Sequence, residues 1–504
     1  MRQPRIGVLV VAYNAAGTLA HVLDRIPAGF RERIAGILVS DDDSADATYL
    51  VGLGYQRFDA SLPLEVVRNP RNLGYGGNQK VGYRWAIERG MDIIVMLHGD
   101  GQYAPEKLPD VVAPLERGEA DAVFGSRMLE PGAARRGGMP LYKFLGNKAL
   151  TRLENRMVGT HLSEWHSGYR AYSVAALREL PFESNDDDFN FDTQIIIQLA
   201  EAGRRIVEVP IPTFYGDEIC YVNGLRYARL ITRDVLRYRA HKMGFGSGEL
   251  AFASDGYEAK GSPSSSHGRI LSWLVRRPPG RVLDLGCGDG HLAAELKAAG
   301  HHVVGVDAAV DARVKDAVDQ FVQADLDLGL PPEVEGPFDL VICADVLEHL
   351  RRPELVLDEL HRLVAPSGVV VVSVPNFAHW YPRLRILAGR FDYDRRGILD
   401  HTHVRFFTRR SFERLVGDRG WTITRRGSTG IPLEVTERGG APRSAREADG
   451  TLRQWALRAD AAAVRARPTL FAYQFLYELE PAQPTPVASW QSEGSYGMSS
   501  ASPG

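Results

Sequence analysis

Short apolar runs alternate with longer amphipathic stretches along the first half of the chain. Strand-length runs occupy residues 6–13, 36–40, 64–67, 93–97 and 122–124, and helix-like patterns occupy residues 15–26, 77–89 and 105–116. Strands that alternate with helices in this way predict a mostly parallel sheet with helices on both faces.

The alternation stops after Tyr238 and starts again after a polar stretch. Residues 243–266 are rich in Gly, Ser and Ala, which predicts a flexible linker. The later strand-like runs lie at residues 281–285, 302–306, 338–342, 369–374, 421–425 and 470–476. We therefore predict α/β domains at residues 1–242 and 267–480, with an antiparallel pair at the end of the second, and a disordered tail at residues 481–504.

The bulk composition excludes several functional classes. A formal net charge of −3 gives no reason to expect nucleic-acid binding. The three cysteines are too few and too scattered for a disulfide framework or a zinc site, and their use fits a reducing compartment. No apolar run approaches the roughly 18 residues of a membrane span, so we expect a cytoplasmic protein.

Polar residues follow the first two strands at the edge where open parallel sheets bind ligands. The first strand ends at Tyr13 and Asn14, and the second ends at Asp41, Asp42 and Asp43. Three adjacent carboxylates repel each other, so we expect a cation, a ribose or base donors to face them.

Two further segments are weaker signals. Ser44 and Asp46 each suit a ligand or the cap of a helix equally well. The glycine-rich residues 72–77, which end at Gly77, let backbone amides approach a phosphate, although most glycine clusters are turns.

The segment after the fourth strand predicts a metal site. It contains His98, Asp100 and Gln102, and Pro105 suits the first turn of the helix that follows. Asp100 and Gln102 offer the oxygen ligands that Mg²⁺ and Mn²⁺ prefer. The alternative is a simple strand-to-helix turn.

The order of these motifs resembles the family 2 glycosyltransferases, especially the polyprenyl-phosphate mannose or glucose synthases. The resemblance covers about residues 4–239 and continues through two later motifs, Gly125-Ser126-Arg127 and Ser167-Gly168 followed by Arg170. It implies a GT-A fold, in which the early acidic motif binds the nucleotide of a UDP- or GDP-sugar. It also implies that Asp100 binds the metal, that Gln102 assists, and that Arg127 lies near phosphate.

The sequence leaves two questions open: the role of His98, which departs from the family motif, and the type of acceptor. His98 stands where the family usually has aspartate, so it is a candidate ligand of Mn²⁺ or of the nucleotide. A polyprenyl-phosphate acceptor needs little deprotonation, and arginines would clamp it. The candidates are Arg127, Arg135, Arg136 and Arg170.

A hydroxyl acceptor on a glycan would instead need a general base, for which Asp192 is the candidate. A helix cap explains Asp192 equally well. With a polyprenyl phosphate as acceptor, we expect peripheral contact with the inner face of the membrane. Arg135, Arg136 and Lys143 would then face anionic lipid, although a solvated basic face explains them as well.

A second glycine motif follows the strand at residues 281–285. It contains Asp284, Gly286, Cys287, Gly288 and Gly290, and the next strand ends in an acidic residue that suits a ribose diol, Asp307. These residues alone leave a dinucleotide as an alternative ligand.

The details resemble the class I S-adenosylmethionine-dependent methyltransferases over about residues 267–478. The matching positions are Asp284, Gly286, Gly288, Gly290, Asp325 and Asp345. The resemblance implies a Rossmann-like seven-stranded sheet whose last strand is antiparallel. It further implies that these residues bind S-adenosylmethionine and that Asp325 contacts the adenine.

Methylation at oxygen also needs a base. His401 and His403, next to Asp400, are candidates, and His349 is a further one; structural hydrogen bonding explains each of them as well. The whole chain thus reads as a bifunctional transferase that glycosylates and methylates a glycan, lipid or related metabolite. The alternatives are a non-catalytic sugar-nucleotide-binding front domain and a dinucleotide-dependent rear domain.

Overall fold

The computed structural model describes residues 3–59, 62–213, 223–246, 248, 265–274, 277–310, 313–432 and 443–482. Contacts divide the chain into a first unit, which is Met1–Gly268, Phe377–His403 and Thr429–Tyr473, and a second unit, which is Arg269–Asn376, Val404–Ser428 and Gln474–Gly504. Most of the predicted linker and nearly all of the predicted tail lie outside the described residues. Because the two units interleave along the chain, the predicted domain boundaries stay predictions.

The first unit contains a seven-stranded mixed sheet in the order β3-β2-β1-β4-β6-β5-β7. Its strands are β1 Ile6–Ala12, β2 Ile34–Asp41, β3 Leu64–Arg68, β4 Ile93–His98, β5 Ala122–Ser126, β6 Arg170–Ser173 and β7 Ile206–Pro210. The first five correspond to the predicted runs. β6 pairs antiparallel with both β4 and β5, and the remaining pairs are parallel.

The second unit contains the other seven-stranded sheet, in the order β10-β9-β8-β11-β12-β14-β13. Its strands are β8 Arg281–Leu285, β9 His302–Asp307, β10 Gln320–Gln323, β11 Phe338–Ala344, β12 Val364–Pro375, β13 Trp421–Thr429 and β14 Gln474–Pro481. β14 is antiparallel to β12, which confirms the predicted antiparallel strand. That strand starts later than predicted because a short helix at Pro468–Phe471 precedes it.

Helices connect the strands of both sheets. They are α1 Leu19–Asp24, α2 Ala28–Arg31, α3 Thr48–Phe58, α4 Gly74–Glu88, α5 Leu108–Glu116, α6 Ala133–Arg136, α7 Leu141–Val158, α8 Val174–Glu179, α9 Phe191–Glu201, α10 Gly224–Lys242, α11 Ser266–Leu274, α12 His291–Ala298, α13 Val314–Ala317, α14 Pro353–Leu363, α15 Trp380–Leu387, α16 Arg409–Asp418, α17 Arg443–Ala466 and α18 Pro468–Phe471. Among the described residues, 3₁₀ turns lie at Pro105–Lys107, Phe182–Ser184, Leu326–Leu328 and Leu347–His349.

The core of the first unit explains why its strands read as continuous apolar runs. Every residue of β1 is buried. Val8 and Val10 pack into one hydrophobic cluster, and Leu9 and Val11 pack into the cluster on the other face. Helices on both faces therefore hold the sheet rigid and fix the carboxyl ends of β1, β2 and β4.

Among the described helices, none combines the length and the apolar character needed to cross a bilayer.

Candidate active sites

The backbone turns sharply at several strand ends where ligand residues were predicted. Asn14 follows β1 with φ 50°, Asp43 follows β2 with φ 57°, and Asp345 follows β11 with φ 58°. Within the described part of the chain, these three are the non-glycine residues with positive φ. Asn and Asp tolerate this conformation better than other side chains, and such positions concentrate at functional sites.

An arginine from β3 compensates the acidic cluster after β2. The Arg68 guanidinium lies 2.9 Å from the Asp43 carboxylate and 3.7 Å from Oδ2 of buried Asp41. The Ser44 hydroxyl donates to Oδ1 of Asp41 and accepts from the Asn14 amide at 2.8 Å. The protein itself therefore supplies part of the positive charge that the three carboxylates require.

Asp42 holds the start of α4 in place. Its carboxylate accepts from the amides of Leu73 and Gly74, at 2.9 and 3.0 Å, and from the Asn69 side chain at 2.8 Å. Asp42 is also buried. These contacts give it a structural role, and its predicted contact with a nucleotide stays a prediction.

The glycines of this segment allow two backbones to pack closely. The amides of Gly76 and Gly77 donate to the carbonyl of Asp187, at 2.8 and 3.3 Å. A Cβ at Gly76 would lie 2.6 Å from the Asp186 carbonyl oxygen, and one at Gly77 would lie 2.9 Å from Leu73. Packing accounts for both glycines, while the predicted approach of Gly77 to a phosphate stays a prediction.

Asp46 accepts hydrogen bonds from two backbone amides. Its carboxylate accepts from the Ala16 amide at 3.0 Å and from the Thr48 amide at 2.9 Å, next to the start of α3. Tyr13, the other polar residue after β1, is 41% exposed.

Asp100 is exposed in the turn after β4. Its Oδ1 accepts the Gln102 amide at 3.0 Å, and the Gln102 side chain is half-buried beside it. The two predicted oxygen ligands therefore lie in one tight turn at the carboxyl end of β4. This arrangement suits a hard divalent cation that arrives with an anionic ligand.

His98 belongs to a buried hydrogen-bonded chain. Its Nε2 lies 3.4 Å from the Tyr75 hydroxyl, which donates to Asp192 Oδ2 at 3.1 Å. The ring of Tyr103 meets the His98 ring edge-on at 4.8 Å. Burial lowers the pKa of His98 despite the nearby Asp100 and Asp192, so the imidazole is neutral near pH 7.

Asp192 lies in the first turn of α9 with its carboxylate directed at other elements. It accepts a hydrogen bond from Tyr75 and, at 3.1 Å, one from the side-chain amide of Gln79. It also lies 3.5 Å from the Arg170 guanidinium. Arg170 is buried and donates to the carbonyls of Ser167, Trp165 and Asp192. Its protein contacts leave Arg170 poorly placed to clamp an acceptor.

Arg127 also has a buried protein partner, Glu164. The guanidinium Nε donates to the Glu164 carboxylate at 3.0 Å, and the Arg127 amide donates to it at 2.7 Å. Burial alone would raise the pKa of Glu164, but the charge and hydrogen bonds of Arg127 outweigh it and hold that pKa below its usual value. The predicted proximity of Arg127 to phosphate stays a prediction.

In the second unit, the glycine motif turns where β8 meets α12. Gly286, Gly288 and Gly290 have φ values of 67°, 54° and 78°. The Gly288 amide donates to Asp307 Oδ2 at 2.9 Å, which ties the turn to the end of β9. A Cβ at Gly288 would meet no atom within 4 Å, so this turn borders open space.

Asp284 is buried beneath these glycines. Its Oδ2 has no hydrogen-bond partner among the described residues. Burial, together with the charge of Asp307, raises its pKa to about 7. An unsatisfied buried carboxyl oxygen beside an open glycine turn is a favourable feature for a polar ligand.

The remaining predicted ligands of this motif have different environments. The Asp345 carboxylate accepts from Ser373 at 2.6 Å and from Gln474 at 2.7 Å, and Asp325 is exposed and accepts the Asp327 amide at 3.0 Å. Cys287 is buried, and burial raises the pKa of its thiol.

The candidate bases of the second half divide between the units. His349 is exposed in the second unit. His401 is exposed and lies 3.2 Å from Asp400, whereas His403 is buried with Nδ1 3.2 Å from the Ile398 carbonyl oxygen; both belong to the first unit. Their predicted catalytic roles stay predictions.

Comparisons with known proteins show the family of the first half of the chain. Residues 7–180 match the model of glycosyl transferase family 2. The undecaprenyl-phosphate mannosyltransferase of Micrococcus luteus is 31% identical over 216 residues, which cover 43% of this chain and 85% of that protein. The chain belongs to glycosyl transferase family 2.

A second relative of the glycosyltransferase domain has a different donor in its name. The UDP-N-acetylglucosamine--dolichyl-phosphate N-acetylglucosaminyltransferase of Methanococcus voltae is 27% identical over 227 residues, which cover 43% of this chain and 88% of that protein. The two names share a polyprenyl-type phosphate and differ in the sugar.

The same chain carries a methyltransferase domain, matched over residues 264–425. The ubiquinone biosynthesis O-methyltransferase of Maricaulis maris is 36% identical over 104 residues, which cover 19% of this chain and 41% of that protein. This chain thus spans less than half the length of that relative. This match identifies the second domain as a methyltransferase domain and contradicts the alternative of a dinucleotide-dependent oxidoreductase.

Several residues that build the glycosyltransferase site were not predicted. Arg68, Tyr75, Gln79 and Glu164 contact Asp43, Asp192 and Arg127 through bonds that join distant parts of the sequence. Glu164 could have been noticed in the sequence as the acidic residue next to Trp165 and His166, just before Ser167. Tyr75 lies within the glycine-rich segment at residues 72–77, whereas Arg68 and Gln79 have no distinguishing sequence pattern.

The Asp284 carboxyl predicts how the stability of the ligand-free methyltransferase domain depends on pH. Its folded pKa of about 7 exceeds the ordinary aspartate value of 3.8, so between these pH values the folded chain retains a proton that the unfolded chain has released. Unfolding free energy should therefore fall as the pH rises from about 4 to about 7, with a limiting slope of about 1.4 kcal/mol per pH unit, and level off above that.

Chemical denaturation of the protein and of Asp284→Asn at pH 5, 6, 7 and 8 measures this contribution. The asparagine does not titrate, so the difference in unfolding free energy between the two proteins should change across this range. Parallel pH curves would show that Asp284 ionises normally in the folded chain.

Proposed function

We propose that this chain is a bifunctional transferase. Its first site moves a sugar from a UDP- or GDP-sugar to a polyprenyl phosphate, and its second site methylates an oxygen of a glycan or related metabolite. The observation that carries the first activity is the exposed Asp100 turn at the carboxyl end of β4, beside a neutral His98.

The donor atoms of this turn fit a divalent cation. Asp100 and Gln102 would hold Mg²⁺ or Mn²⁺ through oxygen, and His98 offers a neutral imidazole nearby. Such a cation, when bound, neutralises charge that builds on the leaving diphosphate. The residues after β2 would bind the rest of the nucleotide, with Arg68 limiting the repulsion among Asp41, Asp42 and Asp43.

The surroundings of Asp192 favour a phosphate acceptor over a hydroxyl acceptor. A general base must reach the proton that it removes, whereas the Asp192 oxygens already accept from Tyr75 and Gln79 and face Arg170. We therefore assign Asp192 a positioning role. A phosphate acceptor is anionic at neutral pH and needs no base, and the names of both glycosyltransferase relatives include such an acceptor.

The exposed arginines are the better candidates to receive that phosphate. Arg127 and Arg170 are held by buried carboxylates, while Arg135 and Arg136 are exposed in the short helix α6. A polyprenyl phosphate lies in a bilayer, so the proposed reaction takes place at a membrane surface. We propose that this is the inner face, with both sites in the cytoplasm.

The second site fits S-adenosylmethionine. The open space at Gly288 admits a ligand close to the backbone, Asp307 suits the ribose diol, and Asp284 has an unsatisfied oxygen. The sulfonium supplies an activated methyl group, so the domain mainly has to align the acceptor oxygen and remove its proton. His349, which lies in the same unit as the glycine turn, is the proposed base. The catalytic roles predicted for His401 and His403 stay predictions.

The proposal is tested with purified full-length protein, undecaprenyl phosphate in detergent, and a panel of UDP- and GDP-sugars with and without Mn²⁺. We expect nucleotide release and a glycosylated lipid with one donor. A cell extract supplies methyl acceptors for labelled S-adenosylmethionine. Nucleotide binding without transfer from any donor would instead favour the non-catalytic front domain.

A further inference from the structure

Helix α15 and the turn after it present apolar side chains to solvent. Leu384, Ile386 and Leu387 are 57%, 49% and 82% exposed, and Phe391 and Tyr393 are 50% and 49% exposed. Five large apolar residues within ten positions form a larger exposed group than the scattered single residues normal for a protein surface. We call residues 380–396 the basic apolar surface.

Hydrogen bonds hold this surface in one shape. The Arg385 guanidinium donates to Asp394 at 2.6 Å and to the Asp392 carbonyl at 2.7 Å. The Tyr381 hydroxyl donates to the other oxygen of buried Asp394 at 2.7 Å. The turn is thereby fastened to α15, so the apolar side chains are displayed by an ordered element.

The inner side of α15 packs within the first unit. Phe245 meets the Tyr381 ring at 4.7 Å and the Tyr473 ring at 5.9 Å, and the Gly246 amide donates to the Tyr381 hydroxyl at 2.9 Å. Ile398 belongs to the same cluster. This packing anchors one side of the helix, while Leu384 and Leu387 stay exposed.

The charge of the basic apolar surface indicates an anionic partner. It contains five arginines, Arg383, Arg385, Arg390, Arg395 and Arg396, against the two acidic residues Asp392 and Asp394. Arg385 pairs with both Asp392 and Asp394, whereas Arg383 and Arg390 are exposed and give this element positive charge at its surface. The chain as a whole has a formal net charge of −3, so this excess is local.

We propose that the basic apolar surface binds an anionic lipid bilayer, with the apolar side chains at the acyl boundary and the arginines at the headgroups. A peripheral membrane helix binds an anionic bilayer through apolar side chains and basic side chains on the same short segment. The inference deepens the proposed function, since a polyprenyl phosphate lies in a bilayer. It places the contact at residues within the methyltransferase match, instead of at Arg135, Arg136 and Lys143.

Vesicle flotation with the full chain tests the proposal without any substrate. We expect binding to vesicles of phosphatidylglycerol and phosphatidylcholine, and at least tenfold weaker binding to phosphatidylcholine alone or at high salt. Leu384→Ser combined with Leu387→Ser should reduce binding at least tenfold, and so should Arg383→Gln combined with Arg390→Gln. Leu328→Ser removes an equally exposed apolar residue beside acidic residues and should change nothing.

Three results would overturn the proposal. They are no binding to anionic vesicles, unchanged binding by both double variants, and a concentration-dependent dimer that the leucine variant converts to monomer. Sugar transfer to a detergent-dispersed acceptor is measured separately. Normal transfer without vesicle binding refutes only the membrane surface, whereas vesicle binding without transfer refutes only the proposed glycosyltransferase substrates.

Discussion

Replacing Asp100 with alanine should lower sugar transfer by about two orders of magnitude or more while methylation continues at its normal rate. The substitution removes a carboxylate from the turn that we propose to hold a cation against the donor diphosphate. Because Asp100 is exposed and accepts a backbone hydrogen bond from Gln102, its loss should change the unfolding free energy by about 0.5 kcal/mol or less.

Asp110→Ala is the matched control for this experiment. Asp110 is an exposed aspartate in α5, close in sequence, and its ion pair among the described residues is with Lys107 at the surface. Its variant should retain both activities. Parallel nucleotide-release and methyl-transfer assays separate the outcomes: equal loss of both activities in Asp100→Ala would contradict two independent sites, and full transfer would remove Asp100 from the mechanism.

Replacing Gly288 with valine should weaken S-adenosylmethionine binding at least a hundredfold and spare sugar transfer. Gly288 has φ 54°, a conformation that costs a branched side chain roughly 1–3 kcal/mol. The new side chain would also enter the open space beside the turn, which is the space that we assign to the cofactor. Calorimetric titration with S-adenosylmethionine measures the loss directly.

Gly300→Val separates backbone strain from obstruction of the cofactor. Gly300 also has a positive φ, 92°, and a Cβ there meets only Pro279, at ordinary contact distances of 3.5 and 3.8 Å. We expect that variant to lose stability and to bind S-adenosylmethionine normally. Unchanged affinity in Gly288→Val, or equal loss in both variants, would refute the assignment of the glycine turn.

The strands that the sequence did not predict show what pattern analysis misses. β6 has four residues and begins at Arg170, a charged residue that reads as exposed. It is buried because three backbone carbonyls and Asp192 surround its guanidinium and the Phe124 ring lies 4.8 Å away. β7 is half-buried and packs at the edge next to β5, so its apolar run is short.

Sequence alone determined the two α/β domains, the order of their motifs and the positions of Asp100 and Gly288 at strand ends. These features depend on local patterns, in which apolar periodicity, glycine and the residue after a strand are read directly.

The tertiary structure decided which polar groups are already partnered. It placed Arg68 against Asp43, Tyr75 between His98 and Asp192, and Glu164 against Arg127. Such contacts join residues far apart in sequence, and their geometry depends on how the strands pair, which no local pattern contains.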